Sequence, residues 1–222
     1  DNIAKVVARI RTSALDFDRK PADIRLMAVS KTRPASAIRA AVAAGITDIG
    51  ENYLQEALEK QAEIDDPSIN WHFIGPIQSN KTRSIAEHFD WVHSVDRLKI
   101  ARRLNEQRPT HLPPLQVCLQ VNISGESSKS GLTLEQLPAL ATELTGMERL
   151  KLRGLMAIPE ASTDFAHQRQ AFATLKQALL SLSLQHPDMD TLSMGMSADM
   201  EAAIAEGSTL VRVGTDVFGP RL

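Results

Sequence analysis

The chain has 222 residues, of which 43% are hydrophobic, and its 25 Lys and Arg against 27 Asp and Glu give a formal net charge of -2 at pH 7. This near balance argues against nucleic-acid binders and membrane-surface binders, which usually carry a basic excess. Because Cys118 has no partner cysteine and no apolar run approaches membrane-spanning length, we expect a cytoplasmic protein whose single domain covers residues 1–222.

Short apolar runs alternate with longer amphipathic stretches along the chain. A helix is predicted first, at residues 3–17. Strands are predicted at residues 26–30, 46–50, 71–75, 91–94, 115–123, 150–158, 189–194 and 210–214. Helices are predicted between them at residues 34–44, 53–64, 79–88, 97–106, 134–144, 164–182 and 198–205. Eight strands that alternate with helices indicate a parallel sheet with helical crossovers.

This alternation fits either a closed (β/α)8 barrel of the TIM type or an open doubly wound sheet. A Gly-x-Gly-x-x-Gly fingerprint after an early strand would favour the open sheet, and the sequence has none. In the fifth run, Val117, Leu119 and Val121 share one face, whereas Cys118 and Gln120 share the other. A central strand of an open sheet would be apolar on both faces. The sequence therefore favours a single α/β domain, a (β/α)8 barrel with an extra N-terminal helix.

Active sites of such barrels lie at the carboxyl ends of the strands, so the residues there are the first functional candidates. Lys31 follows the first strand directly and shares a face with Met27 and Val29. If that face points into the barrel, the amine stands above an apolar floor, a setting that suits attack on an aldehyde in Schiff-base chemistry. A solvated lysine between a strand and a helix is the ordinary alternative.

The loops after the seventh and eighth strands carry the features of a phosphate site, which barrels often build there. Ser197 is predicted to be the N-cap of a helix that begins near Ala198, where backbone amides and the helix dipole attract an anion. Gly214 and Thr215 end the eighth strand and offer amides and a hydroxyl to the same anion. An ordinary cap and an ordinary turn explain these residues equally well.

Arg212 lies within the eighth strand between two valines, so it is predicted to point into the barrel. A buried arginine needs a partner, because an unpaired buried charge is costly. That partner is either a structural carboxylate or a ligand group such as a ring nitrogen. His72 and Met156 are weaker candidates for the same site, because core packing explains them as well. The histidines lack metal-ligand spacing, and no metal is expected.

Eight stretches together resemble the pyridoxal-phosphate homeostasis protein family, most closely its bacterial members. They are AVSKT (28–32), GENY (50–53), HFIGPIQSNK (72–81), VNI (121–123), SKSGL (128–132), RGLMAIP (153–159), LSMGMS (192–197) and RVGTDVFG (212–219). They are spread in order over nearly the whole chain, and several are too long for chance similarity. The resemblance implies a barrel like the N-terminal domain of alanine racemase that binds pyridoxal 5'-phosphate (PLP).

The resemblance also implies a role for each strand-end residue. Lys31 would hold the cofactor as a Schiff base, and Arg212 would face its pyridine nitrogen. The residues that would hold the phosphate are Ser197, Gly214 and Thr215. The residues that would line the cofactor are Asn52, His72, Met156 and Met194. Lys129 is carried over as a secondary lysine for cofactor transfer.

The implied function is vitamin B6 homeostasis, meaning buffering and delivery of PLP to PLP-dependent apo-enzymes by a monomer or weak dimer with little catalytic turnover. An arginine opposite the pyridine nitrogen weakens the electron sink that most PLP chemistry needs. A racemase of the alanine racemase type also needs a second base, a tyrosine from a further domain, and the one tyrosine here is Tyr53. Two alternatives remain open: an amino-acid racemase, and a Schiff-base aldolase that uses Lys31 on a sugar phosphate.

Overall fold

The sheet of the computed structural model, which describes residues 2–125 and 129–220, closes on itself. Eight parallel strands pair in sequence order, and the first pairs with the last. They are β1 (Arg25–Val29), β2 (Asp48–Glu51), β3 (Asn70–Phe73), β4 (Trp91–Val95), β5 (Leu115–Gln120), β6 (Leu150–Met156), β7 (Thr191–Ser193) and β8 (Leu210–Val213). The predicted (β/α)8 barrel is confirmed.

Each strand is followed by a helix, and α1 (Asn2–Asp16) precedes β1 as predicted. The helices after β1 to β7 are α2 (Ala35–Ala43), α3 (Leu54–Glu63), α4 (Thr82–His88), α5 (Leu98–Gln107), α6 (Leu137–Thr145), α7 (Phe165–Ser183) and α8 (Met200–Ala205). The sequence pattern did not predict α9 (Thr215–Phe218) or the 3-10 turn Pro21–Asp23, and it did not distinguish the 3-10 turns Ser79–Lys81 and Leu134–Gln136 from the predicted helices that they begin. These elements have three or four residues, too few to express a helical period.

Strand side chains alternate between an outer core, packed against the helices, and the barrel interior. In β5, Val117 and Leu119 belong to the outer core, whereas Cys118 lies inside the barrel in a separate cluster with Trp91 and Met156. The predicted orientation of β5 is therefore confirmed. A second interior cluster consists of Met27, Val29 and Leu210, with Ile74 packed against it.

Cys118 is fully buried, and burial raises the pKa of its thiol to about 12. The thiol is therefore protonated near neutral pH and acts as a small hydrophobic group. Within residues 2–125 and 129–220, no helix is long and apolar enough to cross a membrane. The same residues contain no group of three or more His, Cys, Asp or Glu placed to hold a metal ion.

Candidate functional site

The loops after β1 and β8 lie side by side at the carboxyl ends of the strands. Met27 pairs with Arg212 and Ala28 with Val213, so the end of β1 adjoins the end of β8. A Cβ on Gly214 would lie 3.3 Å from the carbonyl oxygen of Val29, two residues before Lys31. Lys31, which is half-buried, thus leaves β1 beside the loop predicted to hold a phosphate.

The backbone directly after Lys31 is held in a strained conformation. Thr32 has φ +63°, in the left-handed region, where a β-branched residue costs about 1–3 kcal/mol. Its backbone N–H donates to Glu56 Oε1 at 2.5 Å. Arg33 Nη2 donates to the carbonyl oxygen of Gly219 at 2.5 Å, which ties the same loop to the end of α9. Such strain persists only where the surroundings fix the chain, so the course of the loop is determined by these contacts.

Lys60, a buried lysine that the sequence analysis missed, forms hydrogen bonds that fix this loop. Lys60 Nζ donates to the carbonyl oxygen of Ser30 at 2.7 Å, to Glu51 Oε1 at 2.7 Å and to Glu56 Oε1 at 2.6 Å. The Ser30 hydroxyl also donates to Glu51. Glu51 is fully buried, and burial raises the pKa of its carboxyl group. The cluster joins the ends of β1 and β2 to α3 and fixes the peptides on both sides of Lys31.

Asn52 follows β2, the neighbour of β1, and carries an unsatisfied buried group. Its Oδ1 is buried and has no hydrogen-bond partner within the described residues. The chain after β3 approaches it closely, since a Cβ on Gly75 would lie 2.0 Å from the carbonyl oxygen of Asn52 and only glycine fits there. An unsatisfied buried oxygen costs about 1–3 kcal/mol, and a ligand that donates a hydrogen bond would remove that cost.

Arg212 lies inside the barrel, as predicted, with 4% of its surface exposed. Nη1 donates to the carbonyl oxygen of Ser193 at 2.6 Å and to its Oγ at 2.8 Å, and Nη2 donates to the carbonyl oxygen of Ala157 at 2.9 Å. These acceptors are all uncharged oxygens. Burial lowers the pKa of Arg212 to about 10, so the guanidinium remains charged near neutral pH.

Helix α8 begins at Met200, two residues later than predicted, and its N-cap is Asp199. The prediction that Ser197 caps this helix is therefore wrong. Asp199 Oδ1 accepts a hydrogen bond from the Met196 backbone N–H at 2.6 Å, in the loop before the helix, and makes no side-chain cap bond to α8. Burial raises the pKa of Asp199. The Ser197 hydroxyl is half-buried and takes no part in the helix cap.

Arg9 of α1, which the sequence analysis did not single out, ties the two predicted phosphate loops together. Its Nη2 donates to the carbonyl oxygen of Ser197 at 3.0 Å and to Glu201 Oε2 at 3.1 Å. Its Nη1 donates to Asp216 Oδ2 at 2.7 Å. The side chain of Arg9 therefore links the loop after β7, the first turn of α8 and the first turn of α9, the helix that Gly214 caps.

The structure does not bring two of the predicted residues to the mouth of the barrel. His72 is fully buried in the interior, and its ring nitrogens contact Asp48 and His93. Ile74, two residues further along the same face, lies nearer the mouth. Met194 packs in the outer core, because Ser193 before it takes the inward position.

The other predicted residues lie inside the barrel or on its strand-end loops. Met156 is buried in the interior beside Trp91. Thr215 is exposed and begins α9. Lys129 lies on the loop after β5, where its carbonyl oxygen accepts a hydrogen bond from Asn122 Nδ2 at 3.3 Å. Ser128, which opens the matching stretch 128–132, lies outside the described residues.

Comparison with known sequences identifies the family. The family model of the alanine racemase N-terminal domain matches residues 7–221. A pyridoxal phosphate homeostasis protein of Pseudomonas aeruginosa is 65% identical over 221 residues, which cover 100% of this chain and 95% of that relative. The protein of the same name from Escherichia coli K12 is 52% identical over 223 residues, which cover 99% and 95%.

Solved structures agree with the sequence comparison. PipY of Synechococcus elongatus, in a structure with PLP bound, has a TM-score of 0.83 at 40% identity over 96% of this chain and 100% of that chain. Alanine racemase from Corynebacterium glutamicum has a TM-score of 0.69 at 17% identity over 100% of this chain and 62% of that chain, a likeness that concerns the fold alone. The chain therefore belongs to the pyridoxal phosphate homeostasis protein family, built on the fold of the alanine racemase N-terminal domain.

Proposed function

We propose that this protein holds PLP as a Schiff base on Lys31, and that it buffers and delivers the cofactor in the cytoplasm without turning over a substrate. The main support is that three groups suited to PLP lie on or just after the adjacent strands β2, β1 and β8. They are the Lys31 amine, the unsatisfied amide oxygen of Asn52 and the buried guanidinium of Arg212. The names of the relatives and the PLP-bound structure of PipY support the same cofactor.

The donor set of this site fits each part of PLP. The Lys31 amine would attack the aldehyde carbon, forming a C=N bond with loss of one water molecule. The guanidinium of Arg212 would donate to the ring nitrogen and, being positively charged, oppose its protonation. Ser197, Gly214 and Thr215 would receive the phosphate at the loops that Arg9 ties together. When bound, PLP supplies an electrophilic aldehyde and an electron sink.

We propose a non-catalytic role because Tyr53 is unsuited to act as a second base and because Arg212 would weaken the electron sink. Tyr53 is 55% exposed on the rim as the N-cap of α3, so it is not held inside the barrel. We expect the PLP-loaded protein, given common L-amino acids in D2O, to exchange no Cα hydrogen at enzymatic rates, as followed by proton NMR. Exchange at about 1 per second or faster would instead support the amino-acid racemase.

The covalent attachment is tested on the purified protein. With added PLP it should turn yellow, borohydride should discharge the colour, and peptide mapping should find the added mass on Lys31. Borohydride reduces the C=N bond and makes the link permanent. A protein that PLP cannot colour, but whose Lys31 borohydride traps with a sugar phosphate, would support the aldolase alternative and overturn this proposal.

Replacement of Arg9 by methionine should weaken PLP binding about threefold to tenfold, because the loops that receive the phosphate lose their common tether. The measurement is a PLP titration followed by absorbance. Arg11→Met is the matched control, since Arg11 lies on the same helix and is exposed. Equal affinities in the two variants would mean that the phosphate loops hold their shape without Arg9.

Delivery to PLP-dependent apo-enzymes, by a monomer or weak dimer, is part of the same proposal. Apolar side chains on loops after β2, β6 and β7 support an encounter with another protein at the mouth. Tyr53 is 55% exposed, Ile158 43% and Met196 38%. Lys129, on the loop after β5, would act as the secondary lysine in transfer.

A further inference from the structure

A line of hydrogen-bonded side chains crosses the barrel interior from Arg212 to Asp48. Arg212 Nη1 lies 2.8 Å from Ser193 Oγ, which lies 2.8 Å from His93 Nδ1. His93 Nε2 lies 2.9 Å from His72 Nδ1, and His72 Nε2 lies 2.9 Å from Asp48 Oδ1. The line links β8, β7, β4, β3 and β2 through inward-facing residues.

At one end of this line, Asp48 determines which atoms donate and which accept in the hydrogen bonds. Burial opposes its ionisation, but hydrogen bonds from His72 and Arg25 outweigh burial and lower the pKa of Asp48 to about 2. The ionised carboxylate can only accept, so the His72 proton is on Nε2 and its Nδ1 is an acceptor. His93 must then donate from Nε2 to His72 and accept at Nδ1 from the Ser193 hydroxyl.

Arg212 sets the same direction from the other end. A guanidinium has donors only, so Ser193 Oγ accepts from Arg212 and directs its own proton to His93. Burial lowers the pKa of both histidines, that of His93 furthest, so both rings are neutral near pH 7. One tautomer of each ring satisfies every contact, and every donor in the line points away from Arg212 and towards Asp48.

The middle of the line is shielded from water. Ser193, His93 and His72 each have 0% of their surface exposed. The ring of His72 also stacks on Trp91, with 5.4 Å between ring centroids. Hydrogen bonds in such a medium of low polarity are electrostatically stronger and polarise one another. A carboxylate at one end can therefore favour the positive charge of a guanidinium at the other.

We propose that Asp48, His72, His93 and Ser193 are positioning residues, which fix the guanidinium of Arg212 and add, through hydrogen bonds, a second and more distant counter-charge to the charge of Asp199. A carboxylate hydrogen-bonded to Arg212 would hold the guanidinium equally well, but it would favour protonation of a ring nitrogen bound there. Two neutral imidazoles and a hydroxyl keep the carboxylate away from that nitrogen. The contact with the ring nitrogen rests on the proposed function, whereas the direction of the line does not.

The first test uses the wild-type protein without PLP and measures the nitrogen-15 shifts of its imidazole rings. We expect both His72 and His93 to carry their single ring proton on Nε2 at pH 7 and at pH 8. A proton on Nδ1, or a mixture of tautomers, in either ring would overturn the proposal. Because no cofactor is present, this outcome is independent of the proposed function.

The second test is a double-mutant cycle between Asp48→Asn and Ser193→Ala, with the dissociation constant of PLP as the measurement. Two histidines separate these residues. If both acted only as core residues, the two substitutions would act independently, and their effects on the dissociation constant of PLP would multiply. We expect each substitution to weaken binding about tenfold. We expect the double variant to be no weaker than Ser193→Ala, because that change already disconnects Asp48 from Arg212. Multiplied effects, about 100-fold, would overturn the proposal.

Thr191→Val is the matched control for Ser193→Ala. Thr191 lies on the same strand and face and is buried, but its hydroxyl donates to Asp190 and not to this line. We expect it to bind PLP as the wild type does. If Asp48→Asn does not fold, Ser193→Ala and Thr191→Val are compared instead. Equal PLP affinities of these two variants would overturn the proposal. A wild-type protein that binds no PLP would refute the proposed function, while the tautomers would still test the line.

Discussion

The Lys31→Ala protein is expected to retain no PLP after borohydride treatment and to lose most of the thermal stabilisation that PLP gives the wild type. Without the amine, no C=N bond forms, and only the phosphate and ring contacts remain. A ligand at 100 times its dissociation constant stabilises a fold by about 2.7 kcal/mol. In a protein of this size that corresponds to about 5–10 °C in melting temperature. Melting curves with and without PLP, with intact mass after borohydride, provide the measurement.

Lys99→Ala is the matched control, because Lys99 is an exposed lysine on α5. It should keep the adduct and the full stabilisation by PLP. Equal stabilisation of Lys31→Ala and the wild type by PLP would mean that contacts with the phosphate, and not the covalent bond, supply most of the binding free energy. Borohydride-stable PLP on a different lysine of Lys31→Ala would assign the covalent role elsewhere.

The position of Lys31 was predictable because it depends on local pattern. A run of five apolar or small residues predicts a strand, and alternation along it fixes the face on which the next residue lies. The same rule correctly placed Arg212 inside the barrel. Eight strand–helix pairs indicated a parallel sheet, and the polar inner face of the fifth strand favoured the closed barrel that the structure shows.

Contacts between distant parts of the chain were not predictable from periodicity. Arg9 and Ser197 are 188 positions apart, and only the closed barrel brings α1 beside the loop after β7. Lys60 gave one weak signal, its spacing of four residues from Glu56, which exposed helices commonly show. Nothing in the sequence indicates that Lys60 is buried, with only 6% of its surface exposed.

His72 shows where alternation stops being informative. The alternation rule gives the face of a residue but not its depth along the barrel axis, which depends on the stagger between strands. His72 pairs with Gly50 and Trp91 in the sheet, so it lies below the strand ends and not among them. Its role is to connect Asp48 with His93.

Replacement of Lys60 by methionine should reduce the free energy of unfolding by about 3–5 kcal/mol at pH 8, the usual cost of removing one partner from a buried ion pair. Glu51 would be left fully buried without its cation. Urea unfolding gives the measurement. Lys5→Met is the matched control on α1, where the lysine is exposed, and it should change the stability by less than about 0.5 kcal/mol.

The pH dependence of this variant identifies Glu51 as the cause. Burial already raises the pKa of Glu51 and the Lys60 ammonium opposes that rise, so its removal raises the pKa further. A carboxyl group whose pKa is raised by folding contributes stability that is complete below its unfolded pKa and is lost as the pH rises through its folded pKa. The loss of stability caused by Lys60→Met should therefore be smaller at pH 5 than at pH 8.

The added change Glu51→Gln should remove this pH dependence, because the amide does not titrate. A penalty that is equal at both pH values would mean that Lys60 stabilises the loop of Lys31 through packing and its contact with Ser30, and not through charge.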